Sequence, residues 1–240
     1  MPDPPGRGFF LEDEGVVTGF LGAVYADRVI EGCLRRFCNL TAWCVLPPYR
    51  SQSLDLLFAV TRNPEQTVVN LTPNLQVQRI LRALRYQVLD SHKLFTVPGV
   101  HWSTLLRREC LQVLTEPDDV LPCLDEECRK IVRDHDGSGC RHTLIRGRGG
   151  DCLVISNRRV KKGIPFSEIL YARNPDILRR HFERVKLSIL RRDKTLLLAI
   201  DERLIASRLW FTYPVRRISL FRSPDVKRTN IDNLYSELIW

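Results

Sequence analysis

Arg50-Ser51-Gln52-Ser53 is the stretch of this chain best suited to hold an anion. It follows an apolar, β-rich run, Cys38–Val45 (CNLTAWCV), closed by Leu46-Pro47-Pro48. It leads into LDLLFAV, whose Leu54, Leu56, Leu57 and Val60 fall at helical spacing. A strand that turns tightly into a helix start offers backbone N–H groups without internal partners, and the helix dipole favours negative charge there. Phosphate binding is the chemistry this predicts. Three other constellations carry less. Cys123, Cys128, Cys140 and His142 have irregular spacing and no C-x2-C knuckle, so packed thiols are expected rather than zinc. Gly147-Arg148-Gly149-Gly150 lacks a following Lys-Ser/Thr and lies between two apolar runs, which reads as a hairpin turn. Asp134-His135-Asp136 are sequence neighbours, and neighbours do not converge on one point.

The elements that must position Arg50–Ser53 are legible on both sides of it. Phe9–Glu12, Val16–Ile30 and Leu34–Val45 read as strands, with turns at Asp13-Glu14-Gly15 and Glu31-Gly32. They form an antiparallel meander feeding the first helix. Thr67–Leu71 is a β-branched run, and Asn74 caps LQVQRILRALRY, apolar at Leu75, Val77, Ile80, Leu81 and Leu84. A strand–helix–strand order needs a crossover, so Cys38–Val45 and Thr67–Leu71 are expected to run parallel and to splay apart.

This order of elements resembles the Gcn5-related N-acetyltransferase (GNAT) superfamily over roughly residues 8 to 98. In that family the turn after the fourth strand reads Arg/Gln-x-x-Gly-x-Gly/Ala and holds the pyrophosphate of acyl-CoA. Arg50, Ser51, Gln52, Ser53, Leu54 and Asp55 stand at the matching positions, with Ser53 for the central glycine and Asp55 for the last small residue. Of the family's Asn-x-x-Ala-x-x-x-Tyr and Gly-Phe, Asn74 is retained. Val77 stands for the alanine, Leu81 for the tyrosine and Arg85-Tyr86 for Gly-Phe. The family begins with a strand and two helices that build the acceptor side; this chain opens near the second strand, as a shortened member or one with a late assigned start.

The resemblance implies an α/β fold of mixed α+β type, a GNAT-like central mixed sheet flanked by helices. It also implies acetyl-CoA or another acyl-CoA as cosubstrate and an amine as acceptor. The amine would attack the thioester carbonyl directly, helped by a backbone N–H of the fourth strand. Trp43, Cys44 and Val45 would lie at the depth of the carbonyl, Arg50, Ser51, Gln52 and Ser53 at the diphosphate, and Asn74 on the pantetheine arm. With Leu81 in the tyrosine's place, Tyr86 is the nearest phenol in sequence to protonate the leaving thiolate, and Tyr49 is a second option. Cys44 and Tyr86 are thus the candidate catalytic residues. The alternative is a catalytically decayed scaffold that binds acyl-CoA weakly or serves as an interaction module; Asp55 and Leu81 favour it.

Past Pro98–Pro122 the pattern restarts. Leu121–His135 reads as a helix, Arg141–Ile145 and Cys152–Asn157 as a hairpin, and Phe166–Tyr171 as a strand. Asn174-Pro175 opens a helix to Leu190, with asparagine as cap, and Leu196–Ile200 is another strand. Strand–helix–strand recurs, so a second, degenerate GNAT-like half is expected: 8–98 as the acyl-CoA-binding core, 99–122 as connection, 123–240 as the basic half. The net charge of +9 is concentrated, with fifteen Lys/Arg against five acids between Arg141 and Lys194. Such a patch steers phosphate-bearing ligands, and Arg158–Lys162 would make a secondary phosphate contact. Aromatic residues are sparse within it, which argues against specific nucleic-acid binding. Hydrophobic content of 44% in 240 residues supports a sizeable core. No apolar run reaches the roughly 18–20 residues needed to span a bilayer. Eight cysteines without paired spacing fit reduced thiols in a cytoplasmic protein.

Overall fold

The computed structural model describes residues 6–99, 111–147, 149–205 and 211–236. The chain divides into two compact units, neither contiguous in sequence. Unit 1 takes in Met1–Leu89 and Ile218–Ile231, and unit 2 takes in Asp90–Arg217 and Asp232–Glu237.

Unit 1 opens with the antiparallel meander β1 (Gly8–Asp13), β2 (Val16–Ile30) and β3 (Cys33–Val45). Helix α1 (Ser53–Val60) crosses over to β4 (Thr67–Asn70), which runs parallel to β3. The parallel pairing joins Phe37–Asn39 to Thr67–Val69, and Leu40–Val45 continues past the end of β4. Helix α2 (Leu75–Ala83) follows, begun by Asn74, whose Oδ1 accepts the Val77 N–H at 2.9 Å. Its far end closes on Arg85 in the left-handed region (φ 63°), with the Tyr86 N–H donating back to Leu81 O. The far edge of β4 is covered by the last strand, β11 (Thr212–Arg222), through Leu220–Arg222. Leu56, Leu57, Val60 and Leu81 pack with Leu21, Cys38, Leu40, Val68 and Leu220 under the two helices. On the other face Val226 and Ile231 cover Phe37, Val69, Leu89 and Phe221.

Unit 2 repeats the plan. Strands β7 (Cys140–Gly147), β8 (Gly150–Lys161) and β9 (Ile164–Ala172) form the meander, with β6 (Gln112–Leu114) on its edge. The crossover is a long helix, α5 (Pro175–Asp193), leading to β10 (Leu198–Asp201), parallel to β9. The far edge of β10 is covered by Lys93–Thr96 of β5 (Gln87–Thr96). Two short helices, α3 (Pro117–Val120) and α4 (Glu126–Asp134), pack on the face opposite α5. Each unit therefore has a mixed sheet flanked by helices, and the degenerate second half expected from the repeat is present.

Three differences from the sequence reading have physical causes. Leu121–His135 is not one helix: Leu121–Cys123 is a 3-10 turn carrying Pro122, and Asp125 restarts the helix by accepting the Cys128 N–H at 2.9 Å. Asn174 opens α5 without a side-chain cap bond, the proline at the first turn sufficing. Strand β11 has no counterpart in the sequence reading, because Pro214 and the pair Arg216-Arg217 disguise its alternation.

Candidate functional site

The site in unit 1 is built at the C-terminal ends of β3 and β4, where the two parallel strands separate. A β-bulge marks the spot. Leu21 faces Trp43 and Ala23 faces Leu40, so Thr41 and Ala42 together oppose Gly22. The bulge needs glycine on the facing strand, since a Cβ at Gly22 would stand 2.1 Å from Thr41 Oγ1. It also reverses the facing of the residues after it. Trp43 and Val45 join Cys38 and Leu40 on the helix-covered side, half-buried against the core. Trp43 Nε1 is buried with no hydrogen-bond partner among the described residues. Cys44 turns the other way and is exposed, beside the exposed Phe20.

The Arg50–Ser53 segment differs from an open turn. Pro47–Gln52 forms a 3-10 helix that runs without a break into α1, and the Ser53 N–H already donates to Arg50 O. Two prolines at its start preset the backbone and lack N–H groups that would otherwise need partners. Fewer free N–H groups are left at the start of α1 than a turn would offer. Arg50, Ser51 and Gln52 are exposed, Ser53 is half-buried and Asp55 is exposed. Tyr49, in the same 3-10 helix, donates its hydroxyl to Asp13 Oδ2 at 2.6 Å, and this bond raises the phenol's pKa. Asn74 is exposed; with Oδ1 committed to the helix cap, only its Nδ2 remains to meet a ligand.

Tyr86 is not at this end of the unit. Helix α2 has nine residues and so rises about 13 Å, with Asn74 before its start and Tyr86 beyond its finish. The Tyr86 ring lies in the core under the Arg222 guanidinium, 5.0 Å from its centroid. Arg222 pairs with Val68, and Val68 with Cys38, which places Tyr86 beside the still-paired part of β3 and β4. Burial pushes its pKa up to about 12, with Arg222 opposing. Tyr86 is a buried anchor of the core. Leu81, in the place of the family's tyrosine, is fully buried.

No family model matches the sequence, and no curated protein does. Solved structures do match in fold. A GCN5-related N-acetyltransferase from Anabaena variabilis aligns with a TM-score of 0.51 at 11% identity, over 91% of this chain and 63% of that one. One from Kribbella flavida gives 0.52 at 13% identity, over 91% and 60%. The GCN5-related glucosamine N-acetyltransferase region of a fungal multi-domain GH3 beta-N-acetylglucosaminidase gives 0.55 at 11% identity, over 87% and 32%. The fold is that of the Gcn5-related N-acetyltransferases. The chain spans less than two thirds of the length of each of these structures.

Trp43 and Val45 follow the last β3–β4 pair, Arg50–Ser53 lead into α1 and Asn74 opens α2, while the Tyr49 hydroxyl reaches to Asp13 at the end of β1. The bulge and the Tyr49–Asp13 bond were not read from the sequence, although a glycine inside the long β2 run is the usual trace of a bulge. Part of the basic stretch of unit 2 is committed to its own structure. Arg141 and Arg192 bind Asp193, Arg159 binds Glu168, Arg173 binds Asp125, and Lys186 binds Glu183. Arg158, Lys161 and Lys162 are exposed at the β8–β9 hairpin. Among the described residues, no group of His, Cys, Asp and Glu could hold a metal ion. No helix among them is long and apolar enough to cross a membrane.

Proposed function

We propose that unit 1 is an acyl-CoA-dependent N-acyltransferase, transferring an acyl group, acetyl in the simplest case, to an amine. The observation that carries this reading is the bulged strand β3 parting from its parallel neighbour β4, with a helix start at the point of parting. The thioester lies in the divergence, and a backbone N–H freed at Thr41–Ala42 polarises its carbonyl. Trp43 Nε1 is a second buried donor within this region. The amine attacks the carbonyl carbon, the C–S bond breaks, the nitrogen gives up one proton on becoming an amide, and the thiolate takes one up. Tyr49, the phenol at this end of the unit, gives it on letting go of Asp13 at the end of β1. Arg50 meets the diphosphate and Asn74 Nδ2 the pantetheine arm. We place the protein in the cytoplasm, where free thiols and acyl-CoA coexist.

The second reading is a scaffold that binds acyl-CoA weakly without turnover. It is favoured by the Ser53 N–H already bonded to Arg50 O and by Asp55 at the start of α1. Calorimetric titration with acetyl-CoA, longer acyl-CoAs and desulfo-CoA, together with thiol release on a panel of amines, separates the two. Binding with thiol release supports the enzyme. Binding without release with any amine leaves the scaffold, and no heat up to millimolar ligand removes both. Arg50→Ala is expected to weaken binding by about 1–3 kcal/mol, the range for a charge-assisted hydrogen bond.

A further inference from the structure

Unit 2 has its own strand divergence, built like that of unit 1. Its last parallel pairs are Leu198 with Ser167 and Ala199 with Glu168, after which β9 continues to Ala172. Two residues past Glu168, β9 carries a bulge: Ile155 faces Tyr171 and Ser156 faces Ile169, so Leu170 has no partner on β8. In unit 1 the bulge likewise begins two residues after the last parallel pair, Asn39 with Val69.

In unit 2 this position is filled. The Asn233 N–H donates to Leu170 O at 3.1 Å. Asn233 Nδ2 donates to Asp201 Oδ2 at the end of β10, and Asn233 Oδ1 accepts from Arg203 Nη2 at 3.1 Å. Ser236 Oγ closes the loop onto Asn233 O at 2.6 Å. Leu234 packs among Leu144, Leu153, Ile155 and Tyr171, and the Tyr235 ring lies against His135 at 4.7 Å. Asn233, Ser236, Asp201, Arg203 and Leu170 are all buried. The chemistry of these contacts is specific. Asp201 and Arg203 are ion-paired with each other, Asp201 also with Lys93 and Arg203 with Asp90, and beyond these pairs Asp201 Oδ2 takes a donor, Arg203 Nη2 an acceptor and the bulged carbonyl an N–H, all within one residue's reach. An amide group supplies the first two together, and a chain of amides supplies all three.

We propose that the divergence between β9 and β10 is a second binding site for an extended, amide-bearing ligand of the pantetheine type, and that Asp232–Ser236 of the chain itself occupies it. The proposal rests on the reading of unit 1 as an acyl-CoA site for its choice of ligand. It makes unit 2 a closed copy of that site, so that the intact chain binds one equivalent of CoA.

The test is the stoichiometry of desulfo-CoA binding to the full-length protein, to Asn233→Ala and to Asn233→Pro, the last of which deletes the N–H to Leu170. Hydrogen exchange of the Leu234–Ser236 amides reports release of the segment, and thermal melting confirms that each variant is folded. Ser236→Ala stands in if both Asn233 variants unfold. One equivalent is expected for the wild type, and two for a variant in which exchange at Leu234–Ser236 accelerates at least tenfold. Two equivalents in the wild type, or one in a variant whose segment is released, overturns the proposal. A segment that stays protected in all three variants also overturns it. Heat from a released variant alone, with none from the wild type, supports this site and removes the unit 1 reading; no heat from any protein removes both.

Discussion

Asp55 is the residue on which the two functional readings turn. A carboxylate in the first turn of a helix stabilises it by about 0.3–1 kcal/mol, and the same preference makes it a competitor for a phosphate at that helix start. Asp55 is exposed and lies in the first turn of α1. Asp55→Ala is therefore expected to tighten CoA binding, most clearly at low salt, while lowering the melting temperature slightly. Unchanged or weaker binding would mean that Asp55 does not act on the ligand and that its departure from the family motif is harmless. His142 gives a prediction of another kind. Burial, with His135 and Arg192 adding to it, lowers its pKa to about 4, and its Nε2 is buried without a hydrogen-bond partner among the described residues. Between pH 6.5 and 4 the unfolded chain takes up a proton that the folded chain refuses, so stability falls as the pH drops through that window. The loss reaches about 2 kcal/mol once partial exposure is allowed for. His142→Gln should flatten the dependence of the melting temperature on pH in that range; an unchanged slope would rule His142 out as its source. The role of Asp55 could be weighed from sequence, and that of His142 could not. Asp55 stood out by its position, but the surroundings of His142 depend on His135 and Arg192, which two separate helices bring to its strand.

Among the elements, those that local pattern specifies were legible and those that depend on a partner were not. The meander β1–β3, the crossover α1 and the cap at Asn74 follow from spacing, turn residues and one asparagine. The 3-10 entry to α1 was read as an open turn, although Pro47-Pro48 is the residue pair that favours a tight helical start. The bulge in β3 depends on Gly22, a residue on another strand, and so escapes any reading of Cys38–Val45 alone. Gly22→Ala is expected to cost about 1–3 kcal/mol, the range for overpacking, because its Cβ would meet Thr41 Oγ1. Thr41→Ala should remove most of that cost, so a double-mutant cycle on the melting temperature should show strong coupling. Additivity within a few tenths of a kcal/mol would mean that the bulge tolerates a side chain at residue 22. If the bulge presents the polarising N–H, Gly22→Ala should also slow acyl transfer more than it weakens CoA binding.

For the whole molecule, the repeat was legible and the exchange of strands was not. Each unit completes its sheet with a strand from a distant part of the chain: Leu220–Arg222 of β11 lie on β4, and Lys93–Thr96 of β5 lie on β10. Sequence patterns report local periodicity, and nothing in TYPVRRISLFR says which edge it will cover. The consequence can be measured. A piece containing residues 6–98 retains β1–β4, α1 and α2, and by local pattern it is a complete half. It lacks Leu220, Phe221, Val226 and Ile231, all buried in unit 1. At about 1.5–3 kcal/mol for each large apolar side chain, their loss removes on the order of 6–12 kcal/mol, which matches the whole stability of an ordinary domain. It also leaves the edge of β4, all four of whose residues are buried, open to pairing with other chains. The piece is expected to aggregate or to show no cooperative melt. An excess of a synthetic peptide covering residues 212–231 should restore near-UV dichroism and a cooperative transition. A monomeric 6–98 piece that melts cooperatively without the peptide would show that β11 merely decorates unit 1, and that the strand exchange contributes little to its stability.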